Sequence, residues 1–525
     1  MHSGDAAAQI IKARPLTLSR ARSEDLQHCQ AYFQDCLDHE SCNRLIKDLG
    51  QATSPTRLLQ IESDFCLRLY TVPRGQYPAY AALSYCWGQA PQQELAKTVT
   101  TNIKDRFNTI NVSQLPRTIR DALKVVRALK LSFIWIDALC IIQDDGRDVK
   151  MELSKMGGIY QGATITISAA SSGSSVDGFL GDRDAALAYG KIFQLPYRYK
   201  QGDREMLGLA LLCERKNQDW YEQPIDTRAW TMQEDILSVR LLRFGSEQTI
   251  WRCPSVHKAI DGGASPPPPS DHSGGYRFGD DLSAKTNLCK REIANAWRDW
   301  QFSVVCYTKR SLWNPGDRLV ACAALAERFA ATCGLSSTDY LAGLWKDDIA
   351  AQLLWERFPG SEPKRVPAPT WSWASINGPV RFHERYRFEE PEDDIVQARA
   401  QIDETKMMYN YKGYSYAEPG PACLWLNGAL RQVHYDGSDV KQGIEFVYSL
   451  PLNICWDLQT DLYPDTLWCL EIMGSPTEEF KNVTIGLVLR RVHGVEFERV
   501  GCFDSEESSV REWYEGAERQ TVCLV

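Results

Sequence analysis

No stretch of about 18 consecutive apolar residues occurs in this chain, so nothing in it reads as a membrane span. Basic residues are also in the minority, with 59 Lys and Arg against 68 Asp and Glu, a net charge of -9. Binding to phosphate backbones needs a positive field, so no nucleic-acid partner is expected. The opening residues, MHSGDAAAQIIKARP, lack the basic start and apolar core of a secretory signal, and the expected location is cytoplasmic. No CxxC pair, no phosphate-binding loop and no repeat of fixed period is found.

What the chain does have is size, apolar material and aromatics. Its 525 residues, 44% of them apolar and 24% charged, suit a globular protein of two or three domains. The 16 tryptophans fall in short motifs, as aromatic packing requires. An odd count of 17 cysteines, many inside apolar runs such as IDALCII, fits reduced core thiols better than a disulfide framework. Cys29, Cys36, His39 and Cys42 are of types that could ligate zinc, but the spacing matches no common zinc module. A helix with buried thiols explains them more simply, so no metal is expected.

Taken in order, residues 1–55 predict a helical extension. RLLQI and FCLRLYTV then alternate like a half-buried strand pair closed by a turn at Pro73 to Gly75. YAALSYCWGQ reads as a short strand ending in Tyr85, Trp87 and Gly88, either a packed end or the rim of a cleft. LPRTIRDALKVVRALK is an amphipathic helix with Pro116 in its first turn, and it feeds LSFIWIDALCIIQDD, whose unbroken apolar run predicts a strand buried on both faces. Asp137 interrupts that run. It is either a structural acid that accepts hydrogen bonds or a catalytic one at a strand end. Cys140, three residues on, is a packed thiol or, beside a cation, a nucleophile. A helix over 148–160 and the strand TITISAA complete a strand, helix, strand, helix, strand order, which predicts an α/β fold on a parallel sheet.

LLRFG and TIWRC close this domain near residue 260, and four prolines among glycines at 262–282 predict an exposed linker. The expected division is 1–55, 56–260, a linker at 261–282, a helical region at 283–378 and a β-rich region at 379–525. Within the helical region, Leu341, Trp345, Ile349 and Leu353 form an i,i+4 stripe that predicts a core-facing helix.

The stretch that organises the functional reading is RAWTMQEDILSVR, Arg228 to Arg240. It predicts a helix with Glu234 one turn after Trp230 on the same face. A carboxylate beside an indole is partly desolvated, which raises its pKa toward neutrality. The same residues also suit an exposed glutamate next to a core Trp.

In this order ALSYCWG, LPRTIRDAL, FIWIDALCIIQDD, ATITISAA, RAWTMQE, YLAGLW, LLWERF and PTWSWAS resemble the fungal heterokaryon-incompatibility (HET) domain family. The resemblance runs from about residue 56 to 260 and on to about 378. It implies a stand-alone protein of fungal non-self recognition and regulated cell death, with a core similar to the flavodoxin-like TIR fold. TIR domains that cleave NAD carry a Trp four residues before the catalytic Glu, the separation of Trp230 and Glu234. That comparison implies NAD as a substrate, Glu234 and Asp137 as acid/base groups, and Tyr85, Trp87, Gly88, Arg228 and Trp230 along the nucleotide cleft. Ala229 and Arg252 depart from the Gly and Glu common in the family. HET proteins also accompany fungal secondary metabolism, which leaves a biosynthetic enzyme with Asp137, Glu234 or Cys140 as acid, base or nucleophile. The expected partner is a small molecule or a protein, with a homo-oligomer left open.

Overall fold

The computed structural model describes residues 18–20, 23–50, 53–88, 94, 96–184, 191–201, 204–213, 223–260, 290–382, 396–403, 416, 423–434, 440–441, 444–447, 450–458, 466–475 and 482–525. The chain divides into two compact units, Met1–Asp280 and Asp281–Val525. The linker expected at 261–282 lies outside the described residues. No helix among the described residues is long and apolar enough to cross a membrane.

The first unit begins with helices α1 (Ser23–Leu37) and α2 (Glu40–Gly50). Strands β1 (Arg57–Ile61) and β2 (Cys66–Thr71) follow as an antiparallel pair, and β3 (Ala81–Ser84) is buried at every residue. The turn after β2 carries Gly75 at φ +82°, a conformation glycine adopts without strain. After α3 (Ile103–Asn108) and β4 (Ile110–Asn111) comes α4 (Arg117–Ala128), whose N-cap position is Pro116. Ile119, Ala122, Leu123, Val125 and Val126 make its buried face. The apolar spacing predicts this helix, and its preorganised proline start explains where it begins.

The apolar run expected as one long strand is divided. Only Phe133–Trp135 is strand (β5), and Asp137–Cys140 is a single helical turn, α5. Asp137 therefore does not interrupt a strand but opens the turn that follows one. Helix α6 (Gly146–Gly162) starts where the Asp145 side chain accepts from the backbone N–H groups of Arg147 and Asp148, and β6 (Ile165–Ser168) is again wholly buried. A hairpin of β7 (Ile192–Gln201) and β8 (Arg204–Cys213) precedes α7 (Trp230–Leu237). Strands β9 (Leu241–Phe244), β10 (Thr249–Cys253) and β11 (Val256–Ala259) end the unit.

Nine of these strands form one sheet in the order β11-β10-β9-β6-β3-β5-β1-β2-β4. The pairs β5·β3, β3·β6 and β6·β9 are parallel, and both flanks are antiparallel. The sheet is thus mixed, which corrects the expectation of a parallel one. Short connections at the two ends produce this: the few residues between β1 and β2, or between β9 and β10, can only reverse the chain, whereas a parallel neighbour needs a crossover. Among the four parallel strands, taken in chain order, the spatial order is second, first, third, fourth.

The second unit opens with helices at Lys290–Thr308 and Ala323–Cys333. The helix expected through Leu341, Trp345, Ile349 and Leu353 is reduced to one turn at Ile349–Gln352. Tyr340–Leu341 and Leu344–Trp345 pair as a small hairpin, and Trp355–Arg357 is a strand. All four stripe residues are nevertheless buried. The rest is β-rich as expected, built on a sheet that includes Leu424–His434, Thr466–Gly474, Thr484–His493 and Glu496–Ser505.

Candidate functional site

The central strands β3, β5 and β6 deliver their C-terminal ends to one edge of the sheet. From β3 the chain crosses to β5 on one side, and from β5 it returns past β3 to β6 on the other. In open α/β sheets such a reversal, at the carboxyl ends of the strands, is where ligands bind. Ser84 ends β3, Tyr85 to Gly88 follow it, and Asp137 follows β5.

Glu234 comes to this edge from α7 and is only 5% exposed. Ser84 Oγ donates to its Oε2 at 2.5 Å. Burial pushes the Glu234 carboxyl up to about 7; Ser84 and Arg228 act against the rise, and the neighbouring Asp137 carboxylate adds to it. Tyr160, buried on α6, also acts weakly against the rise, while its hydroxyl donates to the Leu83 carbonyl at 3.0 Å. Asp137 is raised by burial too, with Arg228 opposing. Its carboxylate accepts from Trp87 Nε1 at 2.9 Å and from the Ala138 amide at 2.7 Å. Arg228 donates to the Tyr85 carbonyl at 2.5 Å. The structure therefore brings together Tyr85, Trp87, Asp137, Arg228 and Glu234 of the residues expected to act. Trp230 is half-buried one turn before Glu234, but the polar groups that act most on the Glu234 carboxyl are Ser84, Arg228 and Asp137.

The clamp around α7 explains its fixed position. Arg243 on β9 pairs with Asp226 at 2.7 Å and with Asp235 at 3.1 Å, and Arg252 on β10 pairs with Asp235 at 2.5 Å. Burial works against the Arg243 charge, but the two carboxylates outweigh it and raise its pKa. Arg252 thus holds the residue next to Glu234. At the far end of α7, Ser238 Oγ donates to Thr166 Oγ1 at 2.7 Å and ties the helix to β6.

Cys140 is fully buried, and burial pushes its thiol up to about 12. A thiol so placed stays protonated at neutral pH and serves as core, not as a nucleophile. Gly88 sits on the exposed rim at φ +68°, where an added Cβ would meet Ser174 Cβ at 2.5 Å. Gly88→Ala is expected to cost roughly 1–3 kcal/mol by combining a left-handed backbone with that collision. A thermal midpoint equal to the parent's would show that the Ser174 loop yields freely.

Two members of the site, Ser84 and Tyr160, were not singled out as functional from the sequence. Ser84 carried a signal, a hydroxyl within the apolar run of β3 that needs a buried partner. Tyr160 carried none beyond its place on a core-facing helix.

Comparison with known proteins bears on the same region of the chain. The family described as heterokaryon incompatibility protein (HET) matches residues 80–234, a span that contains every residue of the site and ends on Glu234. Heterokaryon incompatibility protein 6, OR allele, of Neurospora crassa is 30% identical over 125 residues, which cover 22% of this chain and 18% of that protein. No solved structure matches. Residues 80–234 of the first unit are thus similar to the HET domain, and the chain spans less than a fifth of the length of that curated relative.

Proposed function

We propose that this protein serves fungal non-self recognition or the cell-death response that follows it, and that its HET domain acts by cleaving a nucleotide glycosidic bond, with NAD the substrate to test. The observation that carries this reading is a buried Glu234 whose carboxyl titrates near 7 at the carboxyl ends of parallel strands, beside a second carboxylate and Arg228. The spatial order of the parallel strands supports a flavodoxin-like and hence TIR-like core.

In the reaction, the bond from ribose C1′ to the nicotinamide nitrogen breaks and its electron pair leaves with neutral nicotinamide. Ionised Glu234 stabilises the oxocarbenium-like centre and takes a proton from the attacking water, whose oxygen bonds to C1′; that proton then passes to solvent. Asp137, held by Trp87 and the Ala138 amide, positions the ribose. The products are nicotinamide, ADP-ribose and a proton. Activity is expected to rise with pH through about 7, where Glu234 ionises.

Purified full-length protein incubated with NAD is expected to release nicotinamide, and Glu234→Gln to slow that release by at least about 100-fold. Equal release by both proteins would remove Glu234 from the mechanism. Conversion of an added natural-product substrate, with NAD left intact, would favour the biosynthetic alternative on the same carboxylates.

A further inference from the structure

Away from the carboxylate site, three thiols and an imidazole meet beneath the N-terminal helices. Cys36 lies in the last turn of α1, His39 in the bend between α1 and α2, Cys42 in the first turn of α2, and Cys253 at the end of β10. The bend is fixed by hydrogen bonds from the His39 amide to the Cys36 carbonyl at 3.2 Å and from the Asn43 amide to the His39 carbonyl at 3.1 Å. We propose that Cys36, His39, Cys42 and Cys253 form a structural zinc site of the Cys3His type, which fastens the helical extension to the edge of the sheet.

The geometry suits the ion. The four ligand atoms all lie within 4.8 Å of one another. His39 Nδ1 is 3.7 Å from Cys42 Sγ and 3.8 Å from Cys253 Sγ. A tetrahedron with Zn–S of about 2.3 Å and Zn–N of about 2.0–2.1 Å has edges of roughly 3.5–3.8 Å, so closure needs only small movements. None of the cysteines of the group is in a disulfide. Four protein ligands leave no open position, which is the mark of a structural centre and not a catalytic one.

The second observation is electrostatic. Arg240 is 1% exposed, and its Nε donates to Cys36 Sγ at 3.1 Å. Its other partners are the Asn43 side-chain oxygen and the carbonyls of Cys36 and Thr164, and among the described residues it pairs with no carboxylate. A lone buried guanidinium is costly. Zinc with three thiolates and a neutral imidazole carries a single negative charge, which Arg240 neutralises while its N–H orients the Cys36 sulfur. Three protonated thiols would leave that charge unbalanced. The sequence grouping of Cys29, Cys36, His39 and Cys42 thus held three of the four residues; Cys29 stands apart, and Cys253 is too far along the chain for spacing to reveal it.

The full chain, purified without chelators, is expected to carry about one zinc per chain by plasma mass spectrometry. Cys42→Ser and Cys253→Ser should each lower that ratio at least about tenfold, whereas Cys29→Ser leaves it unchanged. Should the serine variants fail to fold, the parent refolded with cobalt(II) supplies a second readout, the visible bands of a tetrahedral thiolate site. Parent protein without stoichiometric zinc and without that cobalt spectrum overturns the proposal. So does zinc retained in Cys253→Ser, or a disulfide among Cys36, Cys42 and Cys253 in peptide maps.

Discussion

Glu234→Gln is expected to make the protein more stable above neutrality, by an amount on the order of 2–3 kcal/mol, while changing little in acid. The folded carboxyl titrates near 7 against an ordinary value of 4.5. Between those values the folded chain holds a proton that the unfolded chain has released, so stability is full below about pH 4.5 and falls as pH rises to about 7. Glutamine keeps an oxygen for the Ser84 hydroxyl and never ionises. Chemical denaturation at a series of pH values checks this: the parent's stability should slope downward across that window, and the variant's should be flatter. Parallel curves would mean that Glu234 is not held as a buried acid. Taken with the expected loss of NAD cleavage, one substitution would gain stability and lose activity, the trade expected where a site holds a charge against its environment.

The largest stability effect is expected in the second unit, at Arg499. This side chain is 0% exposed, and its guanidinium contacts Asp457 through two nitrogens at 3.0 and 3.2 Å. It also donates to the carbonyls of Leu353, at 2.6 Å, and Trp355, and lies 3.6 Å from the centre of the Trp355 ring. Arg499→Met should cost about 3–5 kcal/mol, because Asp457 is left buried without its main counter-charge. Burial already raises the Asp457 carboxyl, with Arg499 the chief opposing influence. Arg499→Met combined with Asp457→Leu should recover at least half of that loss, since the desolvated charge goes too. Calorimetry of the single and double variants decides it; a double variant as damaged as the sum of the singles would show that the carbonyl contacts dominate.

The alternation of strands and helices from residue 81 to 168 was legible in the sequence because each element carries its own period, and Pro116 marks one boundary; the helix expected from Asp148 instead starts at Gly146, capped by Asp145. The antiparallel flanks were less so, since partner choice at a sheet edge is decided by connection length and neighbours. The misread stripe at 341–353 has a local cause. Ala342 and Gly343 both take positive φ, +46° and +97°, which makes a tight hairpin turn, and residues four apart across such a turn face one core as they would on a helix. What forces the turn is distant: a Cβ on Gly343 would stand 2.6 Å from Trp373, whose Nε1 donates to the Gly343 carbonyl. The site divides in the same way. Asp137 announced itself as an acid in an apolar run and Glu234 by its spacing from Trp230, but Tyr160 comes near Glu234 only through the packing of α6 on the sheet.

The span that matches the HET family does not coincide with a piece that could fold. Residue 80 falls just before β3 and residue 234 inside α7, so a fragment trimmed to 80–234 would retain β5 without β1 and β6 without β9. Both margins of the β5-β3-β6 core that remains would offer unpaired backbone to any neighbouring chain, an invitation to aggregate. The strands that cover those margins, β1 and β9, lie in the sequence on either side of the matched span.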